Sequence, residues 1–165
     1  MTGGRDRPIG DRPAQVVFAL LIVACFAAFF LTQRLKHTPT AVQQFKLTPF
    51  FSPTPAGHVK QERISFKLAK ADAVTVTILN ARGDQVATLV QGHPVARYKP
   101  LSLRWNGRLG TARGYTVLEG PDERRILLPS NRGRIAPAGE YRVRVSLRKQ
   151  GRSVLSPRSF TLARR

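Results

Sequence analysis

Basic side chains at strand spacing are the residues of this sequence best suited to chemistry. In PAGEYRVRVSL, residues 137–147, apolar and polar positions alternate, and this period of two predicts a half-buried strand. Arginine and lysine on the wet faces of such strands can bind phosphate or carboxylate groups. Six residues at polar positions of alternating segments, or directly after one, are therefore candidate contacts for an anionic partner: Arg142, Arg144, Arg148, Arg104, Arg63 and Lys67.

The balance of charge favours the same chemistry. The chain has 28 Lys and Arg against 9 Asp and Glu, a formal net charge of +19, and from Gln44 onward 23 residues are basic and 7 acidic. Such a field attracts anionic polymers or lipid headgroups. Two interpretations stay open: one basic plate, if the six candidates share a sheet, or an arginine-rich surface that only keeps the protein solvated. Because no aromatic residue interleaves the candidates, nucleic acid is not a favoured partner.

Other residue types supply no candidate catalytic, cofactor or metal site. His37, His58 and His93 are isolated, without further ligands at metal-binding spacing. No serine lies in a Gly-x-Ser-x-Gly elbow, and there is no glycine-rich phosphate loop. The RGD tripeptide at residues 82–84 stands where a hairpin needs a tight turn, so we interpret it as a turn. The sequence predicts no enzyme and no bound cofactor.

An apolar run near the N-terminus predicts a membrane span. Residues 16–31, VVFALLIVACFAAFFL, together with their neighbours approach the roughly 20 residues that cross a bilayer. We assign residues 1–13 to a short tail and 14–33 to an uncleaved transmembrane signal-anchor helix. The alternatives are a cleaved secretory signal and, because IVAC resembles a lipobox, a lipoprotein signal that ends at Cys25. The basic residues on the two sides of the run nearly cancel, so charge bias does not decide its orientation.

The rest of the chain divides into a stalk and a β domain. Residues 34–57 are rich in Pro and Thr, which predicts an extended stalk, although four of them are too apolar for a pure spacer. Residues 58–165 contain alternating segments such as RISFKLA, AVTVTIL and LSLRWNG, which indicate six or seven short antiparallel strands. The predicted fold class is all-β, an immunoglobulin-like antiparallel β-sandwich behind a single transmembrane helix. Residues 109–134 are an insertion that forms an extra hairpin or a long loop.

The order of several short motifs resembles a known family. Phe-Ser-Pro at 51–53, an Arg-Gly-Asp turn, Trp-Asn-Gly at 105–107 and Pro-Ala-Gly-Glu-Tyr at 137–141 are similar to the immunoglobulin-like domain of the flagellar hook-capping protein FlgD, which recurs in bacterial secreted and surface proteins. The resemblance implies structural roles for Phe51, Pro53, Trp105, Asn106, Gly107, Pro137, Gly139 and Tyr141. The family's acidic loop is replaced by TPAGHVKQ, so a calcium site there is not expected.

These observations lead to an expected function. We expect a single-pass protein of the bacterial cytoplasmic membrane whose C-terminal domain lies outside the cytoplasm, with a structural or protein-interaction role at the cell envelope. The alternative is a tethered receptor for an anionic polymer, such as DNA, a wall polymer or lipid headgroups, which binds on a basic face of the sandwich. The membrane is the only partner that the sequence identifies.

Overall fold

A computed structural model describes residues 11–36, 40–120 and 125–164 of the chain. The first ten residues of the predicted tail and His37 lie outside these ranges. The chain separates into two compact units, Met1–Pro39 and Thr40–Arg165. The first unit contains the predicted membrane helix and the second contains all the β structure described below.

A single helix, α1, spans Asp11–Lys36 and contains the predicted membrane segment. Within it, the 18 residues Gln15–Thr32 have a mean hydropathy of 2.5, and none of this window is buried. A helix of 26 residues is about 39 Å long, which exceeds the thickness of a bilayer core. Phe18, Leu20 and Phe30 are all more than 60% exposed, although they lie on different sides of the helix. By length and composition α1 is suited to a hydrocarbon environment.

The second unit consists of strands that form two sheets. The five-stranded sheet has the order β1-β3-β6-β9-β8, and the seven-stranded sheet has the order β2-β12-β10-β4-β5-β7 with β11 paired to β10. Within the described residues the strands are β1 Val42–Leu47, β2 Phe50–Phe51, β3 Glu62–Leu68, β4 Asp72–Asn80, β5 Gln85–Val95, β6 Pro100–Trp105, β7 Gly110–Thr111, β8 Tyr115–Glu119, β9 Arg125–Pro129, β10 Gly139–Leu147, β11 Arg152–Leu155 and β12 Phe160–Leu162.

One hydrophobic core joins the two sheets. Alternate residues of β3 and β6 on one side, and of β4 and β10 on the other, are buried in the same cluster. This arrangement agrees with the predicted all-β sandwich, in which one face of each strand is buried and the other is wet. Three pairings, β2–β12, β5–β7 and β6–β9, are parallel, whereas only antiparallel strands were predicted. A period of two marks a strand but carries no information on its direction.

The boundary between stalk and domain differs from the prediction. β1 and β2 lie inside the range 34–57, where β1 pairs with β3 and β2 pairs with β12. The side chain of Phe51 is fully buried, and the ring of Phe45 stacks on that of Phe66 with their centroids 5.5 Å apart. The β unit therefore begins at Thr40 instead of residue 58. The apolar residues of the segment provide the physical reason, since they gain more from burial than from solvation.

The predicted insertion at 109–134 contains a hairpin. β8 and β9 pair antiparallel, and β9 joins the five-stranded sheet through a parallel pairing with β6. The turn between β8 and β9 includes residues 121–124, which lie outside the described residues. Near the C-terminal end of the insertion, after β9, the side-chain amide of the buried Asn131 donates hydrogen bonds to the carbonyls of Thr88 and Gly110. Of the two alternatives for this segment, the structure contains the hairpin.

The RGD tripeptide is the turn between β4 and β5. The side-chain oxygen of Asn80 accepts hydrogen bonds from the backbone N–H groups of Arg82 and Asp84, at 3.0 and 2.9 Å. Gly83 has a φ of 87°, a value that favours glycine. The interpretation of this motif as a tight turn is confirmed.

Candidate anion-binding surface

The structure divides the six basic candidates between the two sheets. The β3–β6 group, on the five-stranded sheet, consists of Arg63, Lys67 and Arg104. The β10 group consists of Arg142 and Arg144 on the seven-stranded sheet and Arg148 directly after the end of β10. The outer faces of two packed sheets point away from each other. The six residues therefore do not form one basic plate, an arrangement that the sequence left open.

The β3–β6 group borders a groove on the outer face of the five-stranded sheet. The groove has a volume of about 600 Å³, and its polar walls come from β1, β3 and β6. We call it the β3–β6 groove; the residues that matter here are Lys46, Arg63, Ser65, Lys67, Ser102 and Arg104. Lys46 was missed from the sequence because residues 34–57 were assigned to the stalk. The alternation in QQFKL, with Lys46 exposed between half-buried Phe45 and Leu47, is the signal that could have identified it.

Core packing places these side chains in the groove. The inward apolar residues of β3 are Ile64, Phe66 and Leu68, all at most 1% exposed, so the residues between them must point outward. The same alternation on β6 turns Ser102 and Arg104 outward. The outward residues of β3 and β6 are thus held in place by apolar neighbours that anchor both strands in the core.

Strand register brings two arginines directly opposite each other. Arg63 pairs with Arg104 across β3 and β6, and Ser65 pairs with Ser102 one step further along, with the two hydroxyl oxygens 3.3 Å apart. Opposite residues on adjacent antiparallel strands have Cβ atoms about 4.5–5.5 Å apart, and like charges at such positions are destabilising. The fold gains nothing electrostatically from this pairing.

The groove contains no compensating negative charge among the described residues. No acidic residue from those ranges lines it, and neither guanidinium of the Arg63–Arg104 pair makes an ion pair or side-chain hydrogen bond there. A neighbouring cavity of about 390 Å³ shares both arginines and adds Lys60 and His58. Positive charge is therefore continuous from the groove into this second cavity.

The β10 group has a different environment. Arg142 and Arg144 line a cavity of about 420 Å³ that is also bordered by Arg82 and Glu140. Arg148 does not line it, and the backbone N–H of Arg148 donates to the carbonyl of Ala73 at 3.0 Å. Because a carboxylate stands at the same cavity, this surface attracts an anion less than the β3–β6 groove does.

The residues of the family-like motifs meet at one place in the core. The ring centroid of Trp105 lies 5.7 Å from the ring centroids of Phe51 and of Tyr141. The ring of Phe160 packs against all three of these rings. The Tyr141 hydroxyl donates to the carbonyl of Pro137 at 2.7 Å, the bond expected of a tyrosine that ties a sandwich corner. Trp105 is fully buried, so it is a core residue and not an exposed binding platform.

The Trp-Asn-Gly motif forms the turn that follows β6. The indole N–H of Trp105 donates to the carbonyl of Arg108 at 2.8 Å, and the side chain of Asn106 accepts from the backbone N–H of the same residue at 3.1 Å. Gly107 has a φ of 78°, and a Cβ there would lie 3.3 Å from both Leu162 and Pro53. The turn and the aromatic cluster therefore require these residue types for structural reasons.

Two acidic residues of the β unit are buried. Glu62 is fully buried; its Oε1 accepts from the Thr48 N–H at 2.8 Å, whereas its Oε2 has no hydrogen-bond partner in the described ranges. Burial raises the pKa of Glu62 to about 8, and the Thr48 bond offsets only part of this effect. The carboxyl is thus mostly protonated at neutral pH. Sequence reasoning missed Glu62, although the alternation of β3 places it on the same face as the apolar residues Ile64, Phe66 and Leu68.

Asp72 is the second buried carboxyl, and its environment differs. Burial alone raises its pKa, but hydrogen bonds from the backbone N–H groups of Lys149, Gln150 and Ala73 and from the Gln150 side chain lower the pKa below its ordinary value. Asp72 therefore stays ionised and fixes the turn after β10. Its role is structural.

The histidines lie apart from one another in the described part of the chain. His58 borders the second cavity. The ring of His93 meets that of Tyr115 edge-on, with the two ring centroids 5.4 Å apart. Burial lowers the pKa of His93. Among the described residues, no group of three or more His, Cys, Asp or Glu could hold a metal ion.

Comparison of the sequence with known proteins finds no matching protein-family model and no matching curated protein. The resemblance to the FlgD-type domain stays a prediction. Its physical support is the placement of Phe51, Trp105, Gly107 and Tyr141, together with Pro53, in and around one aromatic cluster.

Proposed function

We propose that the chain is a single-pass membrane protein that holds an immunoglobulin-like β domain outside the cytoplasmic membrane of a bacterium, as a structural or interaction module of the cell envelope. The observation that carries the proposal is the wholly exposed apolar helix Gln15–Thr32 ahead of a separate two-sheet unit. Exposed apolar surface of this extent is costly in water and favourable in lipid.

The immunoglobulin-like, FlgD-type assignment rests on the aromatic cluster and on the tyrosine bond. A buried tryptophan packed at the centre of a two-sheet core and a tyrosine that bonds back to the preceding segment are both features of such sandwiches. Since domains of this kind are common in secreted and surface proteins, the assignment favours a C-terminal domain outside the cytoplasm. Fold alone does not identify a partner.

Single-cysteine labelling tests the orientation. Cys25 is the only cysteine, so a Cys25→Ala chain provides a clean background. Ser153→Cys, at an exposed position of β11, should react with a membrane-impermeant maleimide in intact spheroplasts. The control, Thr2→Cys, should react only after lysis. The reverse pattern, or labelling of neither site before lysis, would overturn the proposed topology.

A second candidate function is a tethered receptor for an anionic polymer. The specific observation that favours it is the β3–β6 groove, whose described lining contains four Lys and Arg residues and no Asp or Glu. Full-length protein in nanodiscs of zwitterionic lipid should bind a polyanion with an affinity that falls steeply as salt increases, because binding releases counterions. An affinity that does not change between low and high salt would contradict this function.

A further inference from the structure

We propose that the β3–β6 groove is a specific site for a linear phosphodiester polymer of polyol or sugar units, with the Arg63–Arg104 pair clamping one phosphate. This inference rests on the second candidate function above and names its site and its ligand class. It also explains why two like charges are held opposite each other on adjacent strands.

The geometry of the pair suits a single tetrahedral anion. Two guanidinium groups on directly opposite residues can each donate parallel N–H bonds to the oxygens of one phosphate placed between them. The repulsion that the pair carries in the free protein is relieved when the anion binds. The hydroxyls of Ser65 and Ser102, at the next step of the same register, are further donors beside this position.

The remaining cations extend the site along and across the sheet. Lys67 lies four residues beyond Arg63 on the same face, a distance of about 13 Å along a strand. Lys46 is in register with Ser65 and lies on the neighbouring strand, about 5 Å to the side. Charges spread over such distances match several anionic groups of one chain better than one small ion.

The lining of the groove favours a polymer without stacked bases. The one aromatic residue among its described lining, Phe66, is fully buried beneath the sheet, so it presents no ring for a base to stack on. The apolar side chain of Ile126 and the ring of Pro100 border the same groove and can contact carbon-rich linking units. A cavity of about 600 Å³ has the size of a small-molecule site, which a few polymer units can enter and a nucleic-acid duplex cannot.

The two sheets provide a matched pair of variants for the test. Arg63→Gln/Arg104→Gln removes the clamp, and Arg142→Gln/Arg144→Gln removes the same charge from the opposite sheet. In each pair one arginine is exposed and the other half-buried. The full-length proteins, in zwitterionic nanodiscs, are titrated with poly(glycerol phosphate), with single-stranded oligothymidylate of equal charge and with inorganic phosphate, and are mixed with vesicles containing anionic lipid.

The clamp variant should bind poly(glycerol phosphate) at least tenfold more weakly than the wild type, and its log–log salt slope should fall by about one. The control variant should stay within threefold of the wild type. Without ligand, the clamp variant should unfold at a higher temperature than the wild type, because two like charges no longer stand opposite each other on adjacent strands. This measurement also shows that its weaker binding is not misfolding.

Several outcomes would overturn the proposal. Equal weakening by both double variants would show diffuse attraction without a site, and the receptor function would survive. Tighter binding of oligothymidylate or of the vesicles than of poly(glycerol phosphate) would exclude the proposed ligand class. No binding of any polyanion by the wild type would overturn the site and the receptor function together, but would leave the membrane topology untouched.

Discussion

Individual buried groups decide how the β unit responds to pH. Glu62 and Asp72 are both buried, yet their pKa values move in opposite directions. Asp72 accepts four hydrogen bonds that stabilise its charge. Glu62 accepts one hydrogen bond on Oε1, and its Oε2 has no hydrogen-bond partner among the described residues. Local hydrogen bonding, not burial alone, sets the charge of a carboxyl.

We predict that Glu62 makes the fold less stable as pH rises. Its folded pKa of about 8 lies above the ordinary 4.5, so its contribution is fully present below pH 4.5 and is lost as pH rises through 8. The slope in this window approaches about 1.4 kcal/mol per pH unit. Urea unfolding in micelles, followed by the fluorescence of Trp105, the only tryptophan, should show this slope in the wild type and a flatter one in Glu62→Gln.

The neutral amide can still accept the hydrogen bond from Thr48 and cannot ionise, so the difference in free energy of unfolding should grow from pH 5 to pH 8. Asp72 titrates below this window because its pKa is lowered, and His93, whose pKa is lowered from 6.5 by burial, is present in both proteins, so the difference between them isolates Glu62. Parallel pH profiles for the two proteins would contradict the assignment of the raised pKa.

At the scale of the elements, β2 is a short strand with a large role. Phe51 is fully buried beside Trp105, whereas its neighbour Phe50 is 50% exposed. Two identical residues in sequence, one inward and one outward, separate the effect of burial from that of residue type. Substitution of each residue in turn therefore tests whether residues 50–51 form a packed strand or an unpacked stalk.

We predict that Phe51→Ala lowers the free energy of unfolding by about 3–5 kcal/mol, since it leaves a cavity in the core. Phe50→Ala, the matched control, should cost less than about 1 kcal/mol because its ring is half in solvent. Chemical denaturation of both full-length variants gives the comparison. Equal, small effects would mean that residues 50–51 form a loose spacer and do not contribute to the core.

The sequence predicted the elements whose patterns are strictly periodic. β3, β4, β6 and β10 alternate apolar and polar residues, and each has its apolar side in the core. β1 and β2 were not predicted, because β1 has a register shift between Gln43 and Lys46 and β2 has only two residues. The prolines of residues 34–57 favoured the prediction of a stalk, and the alternating pattern of β1 is too short to indicate a strand without its pairing to β3.

The candidate site could be predicted only in part, for a reason that belongs to the whole molecule. Alternation identified Arg63, Lys67 and Arg104 as wet-face residues, but which sheet a strand joins depends on long-range pairing. The β3–β6 and β4–β10 ladders connect residues roughly 40 and 70 positions apart in the chain. Two separate basic faces therefore replace the single plate that the composition allowed.

The burial of two acidic residues changes the surface charge of the β unit. Of the 7 acidic residues from Gln44 onward, Glu62 and Asp72 are buried, and Glu62 is mostly neutral near pH 7. The surface of the β unit is therefore more positive than the formal count indicates. A polyanion approaching it meets little local negative charge on the described face of the five-stranded sheet.

The parallel pairing of β2 with β12 has a mechanical consequence. The hydrogen bonds that join the two strands run from the N–H of Thr161 to the carbonyl of Pro49 and from the N–H of Ala163 to that of Phe51. Once β1 has been peeled away, a force that pulls the N-terminal side of β2 against the C-terminal side of β12 loads the two strands lengthwise in opposite directions. Parallel strands loaded in this way break their bonds together in shear and not one after another, so the β2–β12 pairing resists stretching of the β unit.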